Sequence, residues 1–283
     1  MPSYEIHALQ ERPPSSPVMP LSSERVDGGV AVVTLSPKAS SNTFSPQNIR
    51  PLIATLDQLM ADPSCVGVVL TGSGRFFSTG GNIDDFSEGI ENETIGDMVK
   101  EMTDHLHPLL LRIKGSDSVF VCAINGATAG GGLGLALSAD YRVCVPEAKI
   151  AAAFFALGLS PDGGTTWLLP RLVGHQAAKR FFFEGEVWSG EQALERGAVD
   201  EVVDEADLVP RAIEVARDWG RWSVNSRRGT KQLLDAATST FFETQLQFEQ
   251  SLMVASSQTP DFVEGVTAFK EKRPPSFGNA EEE

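Results

Sequence analysis

The stretch Ile124-Asn125-Gly126-Ala127-Thr128-Ala129-Gly130-Gly131-Gly132-Leu133-Gly134-Leu135-Ala136 carries the strongest structural signal in the chain. It continues the apolar run Val119-Phe120-Val121-Cys122-Ala123-Ile124, and the order predicts a strand, a tight turn and a helix beginning near Leu133. Glycines this dense at a strand-to-helix junction let the backbone come close to a ligand, and the first helical turn offers N–H groups with no intrahelical acceptor. Such a junction can hold negative charge. The plainer role for the same glycines is to let a buried helix pack on a sheet. A second turn of this kind favours the ligand role. Val66-Gly67-Val68-Val69-Leu70-Thr71 reads as a strand that leads through Gly72-Ser73-Gly74-Arg75 into Phe76-Phe77-Ser78-Thr79-Gly80-Gly81-Asn82-Ile83.

Outward from these turns, strands and helices keep alternating. Val30-Ala31-Val32-Val33-Thr34-Leu35 reads as a strand. Ser45-Pro46 supplies a cap and first helical residue for a helix with Ile49, Leu52, Ile53, Leu56, Leu59 and Met60 at helical spacing. A helix from about Ile95 to Lys114 and a strand over Tyr141-Arg142-Val143-Cys144-Val145 follow, and from about Leu208 the pattern is helical throughout. The fold class is therefore α/β, with no strict sequence repeat. Residues 1–22, rich in Pro and Ser, and 274–283, ending Glu281-Glu282-Glu283, read as mobile tails.

Composition bounds the function classes. A chain of 283 residues with 41% hydrophobic content can bury a sizeable core. No apolar run approaches a membrane span, and Pro13, Pro14, Ser15, Ser16 and Pro17 stand where a secretory signal would be charged and then apolar, so a cytoplasmic protein is expected. Cys65, Cys122 and Cys144 have no paired or metal-like spacing and read as reduced core residues. A net charge of -15 argues against nucleic acid and anionic membrane as partners.

The two glycine turns resemble those of the crotonase, or enoyl-CoA hydratase/isomerase, superfamily. There an F-S-x-G-x-D-[IL] turn and an N-G-x-x-x-G-G-G turn each give one backbone N–H to a thioester oxygen. Gly158-Leu159-Ser160-Pro161-Asp162-Gly163-Gly164 adds a third match, and the resemblance runs over about residues 25–273. It implies a crotonase-like spiral of ββα turns over residues 23–207 and a C-terminal helical region over 208–273 that covers the active site and assembles a homotrimer or dimer of trimers. It also implies an acyl-CoA substrate, no cofactor beyond the coenzyme A moiety of that substrate, and Gly81 and Gly131 as the two donors. Asn82 stands where the family usually has Asp, which leaves the backbone donor unaffected.

The resemblance is closest to the single-carboxylate isomerases. Family hydratases use two glutamates; at the first position this chain has Gly134, and a gap-free alignment puts Phe154 at the second. Water addition by that mechanism is not expected. Asp162 matches a turn where dehalogenases, dienoyl-CoA isomerases and several Δ3,Δ2-enoyl-CoA isomerases carry an acid. Pro-Asp-Gly in isolation is an ordinary turn, but Phe154, Phe155, Leu157, Leu159 and Trp167 are expected to surround the carboxylate, desolvate it and raise its basicity. The expected reaction is a 1,3-proton shift, in which Asp162 takes a proton from C2 of a 3-enoyl-CoA and returns one to C4. Two other classes stay open. One is a different acyl-CoA reaction on the same turns, such as hydration, hydrolysis or dehalogenation with Asp162 as nucleophile; the other is a silent acyl-CoA-binding protein.

Further ligand contacts are implied only by the resemblance. Lys38, Ala39 and Ser40 lie in the segment matching R-P-x-x-x-N, near the nucleotide. Thr79, Gly80, Asn82, Ile83 and Gly130 belong to the glycine turns, and Phe154, Phe155 and Leu159 are expected among the substrate-binding residues, with the identity of the acyl group left open. Phe269 and Lys272, in a segment matching F-x-E-K-R, approach the adenosine, sometimes from a neighbouring subunit. Phe181-Phe182-Phe183 reads as core. His105 and His107 stand two apart on a helix, point to separate faces and read as surface or core residues without a metal. The segment at 158–162 lacks the second glycine of a nucleophile elbow, and the run at 126–134 lacks dinucleotide-binding spacing.

Overall fold

Three consecutive pairs of β-strands each send one strand to each of two sheets in the computed structural model, which describes residues 19–278. A hairpin opens the chain: β1 (Leu21–Val26) runs antiparallel to β2 (Val30–Leu35). Two helices follow, α1 (Pro37–Ser41) and α2 (Pro46–Ala61). The first pair is β3 (Gly67–Thr71) with β4 (Phe76–Ser78), followed by α3 (Ile83–Glu91) and α4 (Ile95–Gly115). The second is β5 (Val119–Ile124) with β6 (Ala127–Ala129), followed by α5 (Gly131–Leu137). The third is β7 (Tyr141–Cys144) with β8 (Ile150–Ala151), followed after a 3-10 turn at Phe155–Leu157 by α6 (Thr165–Val173) and α7 (His175–Phe183). Then come β9 (Val187–Trp188), α8 (Gly190–Arg196) and β10 (Glu201–Val202).

The first strand of each pair joins a six-stranded sheet, β1-β2-β3-β5-β7-β10, and the second joins a four-stranded sheet, β4-β6-β8-β9. Pairing is parallel except between β1 and β2 and between β8 and β9. This is the expected spiral of ββα turns. Every residue of β3 and β5 is buried, which is why both read as unbroken apolar runs instead of alternating ones; parallel strands covered on both faces have no solvent side.

One of those covers is α9 (Glu205–Gly220), which packs on β2, β3, β5 and β7 and buries Leu208, Ala212, Val215, Ala216 and Gly220. Small residues set this contact: a Cβ on Gly67 would lie 2.9 Å from the Ala216 Cβ. The core therefore runs to Gly220 and does not stop at 207. The separate helical region is α10 (Val224–Ala237), α11 (Phe242–Ser256) and α12 (Pro260–Glu271), which bury only Gly229 and Ala268.

Both tail boundaries also move. Leu21 and Ser22 belong to β1, and residues 1–18 and 279–283 lie outside the described residues. Residues 274–278 are fastened to α12: the Ser276 amide donates to Glu264 Oε1 at 2.8 Å and the Gly278 amide to Asp261 Oδ1 at 3.4 Å. All three cysteines are buried and free, and burial pushes the Cys122 and Cys144 thiols up to about 12. Among the described residues no helix is long and apolar enough to cross a membrane.

Candidate active site

Parallel pairing of β4 with β6, with Phe76 opposite Ala127 and Ser78 opposite Thr128, sets the two glycine turns side by side. Their approach leaves no room for side chains: a Cβ on Gly132 would overlap the Ser78 carbonyl oxygen. Gly131 is the first residue of α5, two residues earlier than the sequence pattern places the helix start, and Gly81 stands just before Asn82, the cap of α3. Among the described residues neither the Gly81 nor the Gly131 amide has a hydrogen-bond acceptor. Both glycines line one cavity of about 620 Å³.

Helices α3 and α4 form one wall of that cavity, with Ile83, Phe86, Val99, Met102, Thr103 and Leu106. Phe154, Leu157 and Leu159 form another, with Phe44 and Phe76 beside the glycine turns. The polar lining is sparse: Ser41, Thr79, Asn82, Thr103, Ser160 and Asp162. Asn82 caps α3, its Oδ1 accepting from the Asp84 amide at 2.9 Å, so the residue that replaces the family Asp keeps a capping bond.

Asp162 stands at the rim of the cavity, but its surroundings differ from the expected apolar shell. Its Oδ1 lies 2.7 Å from His107 Nε2, and its side chain keeps 37% exposure. Phe155 turns away to meet the edge of Phe183 at 5.2 Å, and Trp167 is covered by the Arg171 guanidinium 3.5 Å from its ring centre; neither lines the cavity. Leu157 and Leu159 do line it but remain exposed themselves. The carboxylate is thus paired with an imidazole and open to solvent, not desolvated. Residues near in sequence suggested the shell, while the partner arrives from 55 residues upstream. His107 was legible in principle. Val99, Met102, Thr103 and Leu106 put one face of α4 on the cavity at helical spacing, and His107 is at the edge of that face. His105 instead faces Glu101 one turn back, at 3.8 Å.

The turn carrying Asp162 rests directly on the first turn of α5. A Cβ on Gly134 would overlap the Gly163 carbonyl oxygen, and a Cβ on Gly163 would lie 3.4 Å from the Gly131 Cα and 3.5 Å from the Gly134 Cα. Thr165 holds the turn in place, its hydroxyl donating to the Asp162 carbonyl at 2.8 Å. Backbone therefore fills the space beside Gly134 in which an acid would have to stand.

A family model described as Enoyl-CoA hydratase/isomerase matches residues 25–280. The chain belongs to this family of acyl-CoA enzymes. It is 33% identical over 252 residues to the 1,2-epoxyphenylacetyl-CoA isomerase of Escherichia coli (strain K12), covering 89% of this chain and 96% of that protein. It is 34% identical over 253 residues to a protein of Rhodobacter capsulatus named "Probable enoyl-CoA hydratase", covering 89% of this chain and 95% of that one. Among solved structures, an enoyl-CoA hydratase from Polaromonas sp. JS666 superposes with a TM-score of 0.83 at 27% identity, over 91% of this chain and 99% of that one.

Several residues that the resemblance assigns to ligand contact lie outside the lining of this cavity. Lys38, Ala39 and Ser40 form part of α1, not a loop; Ala39 and Ser40 are buried, and the Ser40 carbonyl accepts from the Thr79 amide at 3.0 Å. These two residues brace the first glycine turn instead of presenting side chains to a ligand, and Lys38 is exposed outside the cavity lining. Gly80 is buried behind Gly81, its carbonyl accepting from the Phe44 amide at 3.2 Å. Thr79, Asn82, Ile83, Gly130, Phe154 and Leu159 do line the cavity. Phe269, 86% exposed, and Lys272 lie at the end of α12, outside the lining in a single chain. Of the aromatic run, Phe181 and Phe182 are buried and Phe183 is exposed.

Proposed function

We propose that this enzyme is a Δ3,Δ2-enoyl-CoA isomerase that moves a double bond by a 1,3-proton transfer through an oxyanion-stabilised dienolate. The observation that carries the reading is the shared cavity: two amides without acceptors, Gly81 and Gly131, and one carboxylate, Asp162. The amides receive the thioester oxygen, on which negative charge grows as C2 loses its proton. Each such donor is worth about 3 kcal/mol of transition-state stabilisation. Asp162 takes the proton from C2; its Oδ1 is engaged by His107, and Oδ2 has no partner among the described residues. Return of a proton to C4 completes the shift, and a positioned base of this kind contributes roughly 100- to 10,000-fold in rate.

Hydration needs a second acid, and the space beside Gly134 is taken by the Gly163 backbone. That favours isomerisation over water addition, while the relatives carry both names, an isomerase at 33% identity and a probable hydratase at 34%. The apolar lining, with Phe44, Phe86, Met102 and Phe154, suits an acyl group. The same reading takes the protein as a cytoplasmic homotrimer or dimer of trimers. Phe241, Phe242, Met253 and Phe269, exposed on or beside α11 and α12, offer the apolar surface that assembly would cover.

An activity panel of 2-enoyl-, 3-enoyl- and dienoyl-CoA substrates on wild type and Asp162→Asn tests the reading. Wild type is expected to convert 3-enoyl-CoA, and the variant to lose at least about 100-fold in kcat. Asp162→Asn with wild-type rates overturns it, and so does efficient hydration of 2-enoyl-CoA by the wild type.

A further inference from the structure

We propose that His107 is a proton relay between Asp162 and solvent, so that the hydrogen placed on C4 of the product comes from water. This rests on the reading of Asp162 as the group that moves protons between C2 and C4. A single carboxylate can perform that transfer alone, and the product then keeps the proton that left C2. The 2.7 Å contact between Asp162 Oδ1 and His107 Nε2 opens a second route. When the carboxylate is ionised it can only accept, so Nε2–H donates to it; once Asp162 has taken a proton, the same contact lets the carboxyl O–H donate to a bare Nε2. The bond joins the two protonation states of the reaction.

The other end of the imidazole is open. The His107 side chain is 52% exposed on α4, and its Nδ1 has no hydrogen-bond partner among the described residues. His107 does not line the cavity, so it acts through Asp162 and not on the substrate. A neutral imidazole carries one N–H and one bare nitrogen, so the ring can take a proton at one and give one at the other.

The steps balance without any further reactant. The C2 proton passes to an Asp162 carboxylate oxygen as the C2–H electron pair enters the dienolate. Asp162 passes that proton to Nε2 of the tautomer protonated at Nδ1; the imidazolium, exposed on α4, exchanges its ring protons with water, and Nε2 then returns a solvent proton to Asp162. That proton goes to C4, the dienolate electron pair forms the new C–H bond, and the thioester carbonyl is restored.

Isomerisation in D2O at low conversion reads this out as deuterium at C4 per product molecule, a ratio that does not depend on turnover rate. Asp162→Asn, His107→Gln and His107→Leu are compared with wild type. Wild type is expected to place deuterium at C4, and both His107 variants to lose it and carry the C2 proton there instead. Gln can still donate an N–H to Asp162 but cannot relay, so it should recover part of the kcat lost in His107→Leu, with KM moved little in either. Equal C4 deuterium in wild type and both variants overturns the relay, because solvent then reaches Asp162 directly. Wild-type product without C4 deuterium overturns it too. If those results come with an inactive Asp162→Asn, only the relay fails; if Asp162→Asn stays active, the role of Asp162 fails and the relay with it.

Discussion

Replacing Gly134 with Ala adds one methyl group where there is no space for it. The new Cβ would overlap the Gly163 carbonyl oxygen, and its next neighbours are the Gly163 carbonyl carbon at 2.8 Å and Cα at 3.0 Å. All three are backbone atoms of a turn tied by Thr165, so no side-chain rotation relieves the overlap. Either α5 or the Asp162 turn must move. Overpacking of a tight core costs about 1–3 kcal/mol, and a backbone obstacle puts this substitution near 3 kcal/mol. At roughly 2–4 °C per kcal/mol for a chain of this size, the melting temperature should fall by about 6–12 °C. Thermal melts at fixed protein concentration measure the fall, the fixed concentration removing any effect of assembly. Activity on 3-enoyl-CoA should fall as well, since the turn that moves carries Asp162. Gly134→Glu should behave the same way or worse and gain no hydratase activity. A Gly134→Ala protein with wild-type melting temperature and wild-type isomerase rate would refute the argument, as would a stable Gly134→Glu variant that hydrates 2-enoyl-CoA.

Two further outcomes follow from side-chain bonds. Asn82→Ala removes the cap of α3 and should cost about 1 kcal/mol in chemical denaturation, whereas Asn82→Asp keeps an acceptor at the helix N-terminus and should cost nothing measurable. Glu264 is held down to about 2, against an ordinary value of 4.5, first by its hydrogen bonds to Arg273 and then by the Ser276 amide. Because the folded value is the lower one, its contribution to holding residues 273–276 on α12 is complete above about pH 4.5 and is lost as pH falls through about 2. Carboxyl NMR titration should place Glu264 below the ordinary glutamate value in wild type and raise it toward that value in Arg273→Ala.

Much of the frame could be read from sequence because burial wrote it there. Strands β3 and β5 are covered on both faces and appear as continuous apolar runs; α2 is buried on one face and shows Ile49, Leu52, Leu56 and Leu59 at helical spacing. The glycine turns were legible because close backbone approach excludes every other residue. By contrast β1 has four exposed central residues and no alternation to detect, and β8, β9 and β10 have two residues each, too few to form a pattern. Ala39 and Ser40 sit beside a matched motif, yet whether they face ligand or core depends on packing against β4, which sequence does not encode locally. The surroundings of Asp162 were misread for the same reason. Its partner lies on α4, and the neighbouring aromatics turn to Phe183 and Arg171 instead.

The missing hydratase acid and the presence of Asp162 are one structural fact seen from two sides. Gly163 contacts both Gly131 and Gly134, so the turn that places Asp162 on the cavity is also the object that fills the space beside residue 134. A glutamate at 134 would have to push that turn away, and with it the carboxylate. The two arrangements therefore exclude each other sterically in this backbone, and no single substitution can add one acid while keeping the other. On the proposed reading, conversion of the site to water addition requires the segment from Ser160 to Gly164 to be rebuilt along a different path, together with an acid at 134. The intact Gly81 and Gly131 amides would serve either chemistry, because both reactions develop charge on the same thioester oxygen. On the proposed reading, specificity between the two rests on which backbone occupies the few ångströms above α5.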